Sequence, residues 1–388
     1  MNMTHESSRR RARSASPIFA ALLLSTLFSA AGTATSPLAE TNGFGVAKPG
    51  YGYEFPRDHG SHDQFRTEWW YYTGHVASKN GRRFGFQLTF FRRAVALDHM
   101  QTLPSRWTIG QLYLAHFAVS DLEGKQFRYA EKISREGLGK AGADADRLHV
   151  WTDRWLAEAV KEEPSAHHLA AEQDGVAIDF TLRQLKPPVI HGQAGISRKG
   201  EQIGQASHYY SLTRLGTEGR LTIDGESFHV TGTSWMDHEF GSADLGEDLV
   251  GWDWFSLQLQ DGNDIMIYQL RRADGSLDPA SSGTLVYPDG GAESLSRDDI
   301  TVTVVSHWTS PASGARYPAK WNVAVPRLQL DVQVIPLMAS QELATRRSTQ
   351  VTYWEGAVQI SGTTRGRAVT GQGYVELTGY AERFSERL

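Results

Sequence analysis

Six Asn-Gly or Asp-Gly pairs punctuate the chain after residue 50, beginning at Asn80, Asp174, Asp224, Asp261, Asp274 and Asp289. Such pairs tolerate the positive φ that a tight two-residue turn between antiparallel strands demands. The runs between them alternate. "RRFGFQLTFFR" sets Phe84, Phe86, Leu88 and Phe90 on one face, and "GVAIDFTLRQL" does the same with Val176, Ile178, Phe180 and Leu182. "YWEGAVQISG" and "GQGYVELTGY" extend the theme near the C-terminus. The one stretch that also fits a helix, "DRLHVWTDRWLAEAVKEE", alternates over "DRWLAEAV" and is read as strand. An all-β chain of short antiparallel strands follows, as a sandwich or a barrel.

A weak internal repeat favours barrels. "EWWYYTGHVASKNGRRFGFQLTFFR" starts at Glu68 and "DWFSLQLQDGNDIMIYQLRR" at Asp253. Each runs acid, Trp, a second aromatic, an Asn-Gly or Asp-Gly turn, then an alternating strand that ends in arginine. With 388 residues available, two domains of ordinary size fit, each opening on this hairpin and meeting near residues 238–248. The expected boundaries are 50–240 and 241–388. Trp69 and Trp254 are expected to plug the ends of their barrels, each giving its N–H to a backbone partner.

Residues 1–34 join a basic start (Arg9, Arg10, Arg11, Arg13) to a short apolar run that ends in small residues. This is the pattern of a secretory signal, cleaved after Ala31 or Ala34, with an uncleaved anchor as the alternative. Residues 35–49 then form a linker. Four arginines and Glu6 leave with the signal, taking the formal charge from -5 to -8. No basic excess exists to neutralise phosphates, so nucleic acid is not an expected partner. The absence of cysteine removes disulfides, thiolate metal sites and cysteine nucleophiles.

Standard catalytic signatures are missing: there is no G-x-S-x-G, no H-E-x-x-H and no phosphate-cradling loop. "GTSWM" comes nearest to a nucleophile elbow, with Met236 in place of its second glycine. The "DHGSHD" segment could offer Asp58, His59, His62 and Asp63 to a metal, but is read as a polar loop, and no metal or cofactor is expected. The densest constellation is "ASHYYSLTRL" with "VTGTSWMDHEFGS", which flank the Asp224–Gly225 turn. Alternation puts His208 and Tyr210 on one face of the first strand, and Trp235 and Asp237 on one face of the second. If those faces line one pocket, a buried Asp237 stays protonated and acts as an acid, the two rings steady a cation, and His208 orients the acid or a water. A hydrogen-bonded domain junction explains the same residues equally well.

"HGSHDQFRTEWWYYTGHV", "ASHYYSLTRL", "SWMDHEFGS" and "GWDWFSLQL" together resemble the carotenoid 1,2-hydratase family and its sister branch, the attachment-operon (AttH-like) secreted proteins. "WMDHEF" resembles the secreted branch more. The resemblance implies two lipocalin-like barrels and cofactor-free addition of water to an isoprenoid double bond. It assigns catalysis to Asp237, His208, Tyr210 and Trp235, although the hydratase pattern has Trp at position 210 and Tyr at position 235. Trp70, Tyr72, Tyr209, His238 and Glu239 are the expected substrate contacts. The expected partner is a hydrophobic small molecule, isoprenoid or lipid-like. The competing expectations are a periplasmic lipid carrier working with an envelope ABC-transporter system, and a hydrolase using water activated by His208 or His238.

Overall fold

The computed structural model describes residues 43–95, 110–200, 202, 204–242, 245–246 and 248–384. The segment read as an export signal lies outside the described residues. All six dipeptides are turns with positive φ at glycine. Asp174–Gly175 (φ 50° and 79°) and Asp224–Gly225 (50° and 86°) have it at both positions, as a type I′ turn requires. Arg365–Gly366 (49° and 72°) makes a seventh such turn without the Asn or Asp that would have marked it. Among the described residues there is no α-helix, and "WLAEAV" is the strand Trp155–Val160.

Two antiparallel sheets result. The first holds β1 (Thr67–Ser78), β2 (Arg83–Ala94), β3 (Gln111–Asp121), β4 (Gln126–Arg135), β5 (Ala141–Ala143), β6 (His149–Thr152) and β7 (Trp155–Val160). It continues through β8 (Glu163–Gln173), β9 (Val176–Gln184), β10 (Val189–Ile190), β11 (Ile196–Arg198), β12 (Ala206–Ile223) and β13 (Glu226–Gly241). Its strand order is β4-β3-β2-β1-β13-β12-β9-β8-β7-β6-β5, with β10 and β11 paired to β12. The second holds β14 (Leu249–Leu259), β15 (Asp264–Arg272), β16 (Ser282–Val286), β17 (Ala292–Ser296), β18 (Thr301–Thr309) and β19 (Arg316–Val325). It ends with β20 (Leu330–Pro336), β21 (Glu342–Thr345), β22 (Val351–Thr364) and β23 (Arg367–Thr378), in the order β17-β16-β15-β14-β23-β22-β20-β19-β18, with β21 on β22.

In both sheets the opening strand lies between the second and the last: β1 between β2 and β13, β14 between β15 and β23. That is the internal repeat in three dimensions. Each sheet curls until its ends share one core. Phe117 of β3 meets Trp155 of β7 edge-on at 5.6 Å, and Phe255 of β14 meets Trp321 of β19 at 5.5 Å. Both are near-barrels filled by side chains, in agreement with the lipocalin-like expectation. Phe84, Phe86, Leu88 and Phe90 are wholly buried in the first core, each worth about 1.5–3 kcal/mol. Val323, Val325, Val332 and Val334 do the same in the second.

The opening aromatic run divides between two environments. Trp70 and Tyr72 point into the first core, and the Trp70 indole donates to the His59 carbonyl at 2.9 Å. The expected plug is therefore Trp70. Trp69 and Trp254 sit instead among the residues where the two sheets meet, one position out of phase with the barrel interior.

One irregularity sets the phase of everything near residue 237. From the Asp224–Gly225 turn, β12 and β13 pair regularly from Ile223↔Glu226 to Leu215↔Ser234. Continued unbroken, that register would set Tyr210 opposite Glu239. A bulge between Leu212 and Leu215 places two residues, Thr213 and Arg214, against Trp235 alone, so Tyr210 lies opposite His238 and Ser211 opposite Asp237. The freed bulge residues reach the second sheet, where Thr213 Oγ1 and Arg214 Nε donate to Asp264 at 2.9 and 3.1 Å.

Candidate active site

The outer face of the first sheet packs against the second, and the registers assemble the site row by row. Phe91, Trp69, Glu239 and Tyr209 are successive cross-strand neighbours, as are Thr89, Tyr71, Asp237 and Ser211 in the next row. Facing them, Tyr268, Trp254, Glu376 and Glu355 form one row of the second sheet. Between the rows lies a chamber of about 190 Å³, lined by Trp69, Tyr71, Tyr209, Asp237 and Glu239 on one wall and Trp252, Trp254, Tyr268 and Glu376 on the other. A water needs roughly a tenth of that volume. The space suits an organic molecule against aromatic walls.

Asp237 is 4% exposed. Trp235 Nε1 donates to its Oδ1 at 2.6 Å and the Tyr209 hydroxyl to its Oδ2 at 2.7 Å, with Ser211 Oγ on Oδ1 as well. Burial, which disfavours the carboxylate, outweighs these three donors and pushes its pKa up to about 7. Behind it, His191 Nε2 lies 2.6 Å from Ser211 Oγ and its Nδ1 2.8 Å from Thr284 Oγ1 of the second sheet. Trp254 Nε1 donates to the Tyr209 hydroxyl at 3.1 Å, so both sheets hold this group in place.

Two further acids line or back the opposite wall. Glu376 accepts from Trp252 Nε1 at 3.0 Å and Thr378 Oγ1 at 3.3 Å; burial raises its pKa to about 7. Glu355 takes the Tyr71 hydroxyl, and burial with Glu376 nearby raises its pKa well above the usual range. Lys199 is buried but stays charged: burial opposes its charge, while Glu239, whose Oε1 is 2.6 Å from its Nζ, and the Tyr268 ring at 4.1 Å favour it.

The other predicted residues lie across β12 and β13 on the barrel side. Tyr210 and His238 are joined at 2.9 Å, and His59 Nδ1 meets the same hydroxyl at 2.7 Å. His238 Nε2 and His62 Nδ1 converge on Glu68 Oε1 at 2.8 and 2.7 Å, while Arg92 Nε donates to Oε2 at 3.0 Å. Burial favours a neutral Glu68, yet Arg92, His62 and His238 hold it ionised. The His62, Glu68 and His238 ligand atoms lie within 4.8 Å of one another. Hydrogen bonds to one shared oxygen, with an arginine on the other, suit a buried ionic network better than a cation site. The "DHGSHD" loop is thus no exposed polar turn, since Asp58, His59 and His62 are all buried.

The four expected catalytic residues do not converge. Asp237 and Trp235 back the chamber, whereas Tyr210 and His208 are on the opposite face, His208 packed against Tyr51 at 4.7 Å and Phe240 at 5.1 Å. Of the expected substrate contacts, Tyr209 and Glu239 line the chamber and Trp70, Tyr72 and His238 line the barrel core. Lys199, His191, Glu355 and Glu376 were not anticipated. Extending the repeat to the last strands would have paired Glu239 in "DHEFG" with Glu376 in "YVELTG".

A family model described as AttH-like matches residues 46–380. The structure is similar to that of an AttH of Nitrosomonas europaea, with a TM-score of 0.78 at 34% identity, over 87% of this chain and 100% of that one. Kievitone hydratase from Nectria haematococca has the same fold, with a TM-score of 0.65 at 17% identity over 90% and 97% of the two chains. Kievitone hydratase of Fusarium solani subsp. phaseoli is 20% identical over 313 residues, covering 79% of this chain and 81% of that protein.

Proposed function

Because the chain belongs to the AttH-like family, matched over residues 46–380, and is similar to kievitone hydratase, we propose that it is a cofactor-free hydratase. It adds water to a carbon–carbon double bond of a hydrophobic, isoprenoid-type molecule held between the two sheets. The observation that carries this reading is Asp237, a buried carboxyl on the chamber wall with its pKa pushed up to about 7. A carboxylic acid that keeps its proton near neutrality can give it to carbon. Asp237 protonates one alkene carbon, and Tyr209, Ser211 and Trp235 already surround the carboxylate left behind. Positive charge grows on the other carbon, facing the rings of Trp69, Trp252, Trp254 and Tyr268. Water captures it as the alcohol. His208 and Tyr210, on the far face, support the strands without touching substrate. The N-terminal sequence supports the further proposal that the enzyme acts after export.

The test offers the protein kievitone, and simpler arenes bearing a dimethylallyl side chain with its trisubstituted double bond, in ¹⁸O-water. Expected is a product heavier by one labelled water, and a loss of about 10²–10⁴-fold in turnover for Asp237→Asn. Turnover should also fall as pH rises through about 7, where Asp237 loses its proton. Undiminished turnover by Asp237→Asn would overturn the mechanism, and recovery of every ligand unaltered would make the protein a carrier.

A further inference from the structure

The two chamber walls are counterparts, and one difference between them is informative. In the first sheet Trp69 pairs across strands with Glu239; in the second Trp254 pairs with Glu376. The repeated hairpin and the last strand thus set one Trp–Glu pair on each wall. Only one of the two glutamates has a cation. Lys199 Nζ and the Ser207 hydroxyl both go to Glu239 Oε1. Among the described residues no Lys, Arg or His reaches ion-pair distance of Glu376, whose donors are the Trp252 indole and the more distant Thr378 hydroxyl. Asp237, in contrast, has its two oxygens taken by three donors. Glu376 therefore combines acceptor capacity left for a ligand or a water with a charge that no cation among the described residues pairs.

We propose that Glu376 is the base of the water-capture step and the fixed anion against which positive charge on carbon develops. This rests on the hydration reading above. Asp237 gives its proton to one alkene carbon and the π pair forms the new C–H bond. Water then forms a C–O bond at the cationic carbon, and its surplus proton passes to the Glu376 carboxylate. The product is the alcohol, with Asp237 ionised and Glu376 protonated, and proton exchange with solvent water restores both. The division of labour follows from position: the acid is sheltered behind donors that favour its conjugate base, and the base stands open on the other wall. The charged or titratable groups that bear on Glu376 are Glu239, Lys199, Tyr71, Tyr268, Tyr353 and Glu355. Burial and Glu239 hold its proton more tightly, while Lys199 favours release.

The experiment needs no natural substrate. Trimethylphenylammonium imitates an aryl-bearing tertiary cation, and tert-butylbenzene is its neutral isostere. Titrated into the full chain, the cation should bind at least tenfold more weakly to Glu376→Gln than to the unmodified protein, with tert-butylbenzene unchanged. Affinity for the cation should also drop as pH is lowered from 8 to 6 in the unmodified protein, and drop less in Glu376→Gln, where of these two chamber acids only Asp237 still titrates over that range. Equal cation affinity in the two proteins overturns the proposal, as does an unmodified protein that shows neither preference for the cation nor pH dependence. The latter readouts apply even if Glu376→Gln fails to fold. Failure here leaves the Asp237 result standing, whereas full turnover by Asp237→Asn removes Asp237 as the acid, and recovery of every ligand unaltered removes the hydration reading itself.

Discussion

Glu68 has no exposed side-chain surface, nor do its partners His62, His238 and Arg92. Such a network gains little over an apolar core while intact, but loses heavily when one member goes, because the remaining charges are stranded. Glu68→Gln is expected to cost about 3–5 kcal/mol, read as a shift in the urea midpoint with unchanged slope; a change under 1 kcal/mol would mean that the network is not paired as described. At this scale the sequence was informative about residue type more than about address. Asp237 beside Trp235 was legible as a buried acid against a ring. His59 and His62 read as turn formers, because a short polar stretch looks the same whether it meets solvent or caps a barrel. Lys199 was invisible, since its partner Glu239 is 40 positions away in sequence and nothing local marks the pair.

The hairpins were legible because their turns need unusual backbone angles and few residues provide them. Gly225, with φ 86° after an Asp at 50°, is such a position. Gly225→Ala should destabilise by about 1–2 kcal/mol, the cost of placing a Cβ in the left-handed region; a neutral result in chemical denaturation would show that the turn relaxes. The phase of β12 was not legible. A bulge inserts one residue without a compositional marker, and it moves every later side chain to the opposite face. Counting back from the Asp224–Gly225 turn gives Tyr210 and Asp237 a common face; the bulge at Thr213 and Arg214 separates them. The same period-2 logic explains Trp69 and Trp70, where the choice of plug turned on a single step.

Across the whole molecule, buried histidines and buried carboxyls pull the pH dependence of stability in opposite directions. Burial depresses His116, His167 and His191 to about 3, and His75 and His208 to about 4. Each contributes fully above its unfolded value of about 6.5 and loses that contribution as pH falls toward the folded one. Asp237 and Glu376, raised to about 7, gain over the range from 7 down to about 4, where their unfolded forms take up protons. Below about 4 that compensation ends, while Glu68 and Asp58, both held low, begin to be protonated. Melting temperature should therefore decline gently from pH 7 to 4 and steeply below; a drop as steep between 7 and 5 as between 4 and 3 would contradict the assignment. Two curled sheets were legible from turns and alternation, but a chamber between them was not, because alternation within a strand separates inner from outer faces and does not say which outer faces meet. The matched Trp–Glu pairs carry a last consequence. A single such sheet facing a twin across a two-fold axis would be obliged to treat both glutamates alike, each with its own lysine or neither. Covalent tandem linkage lifts that obligation: one half can spend its glutamate on a salt link while the other leaves its own free for chemistry.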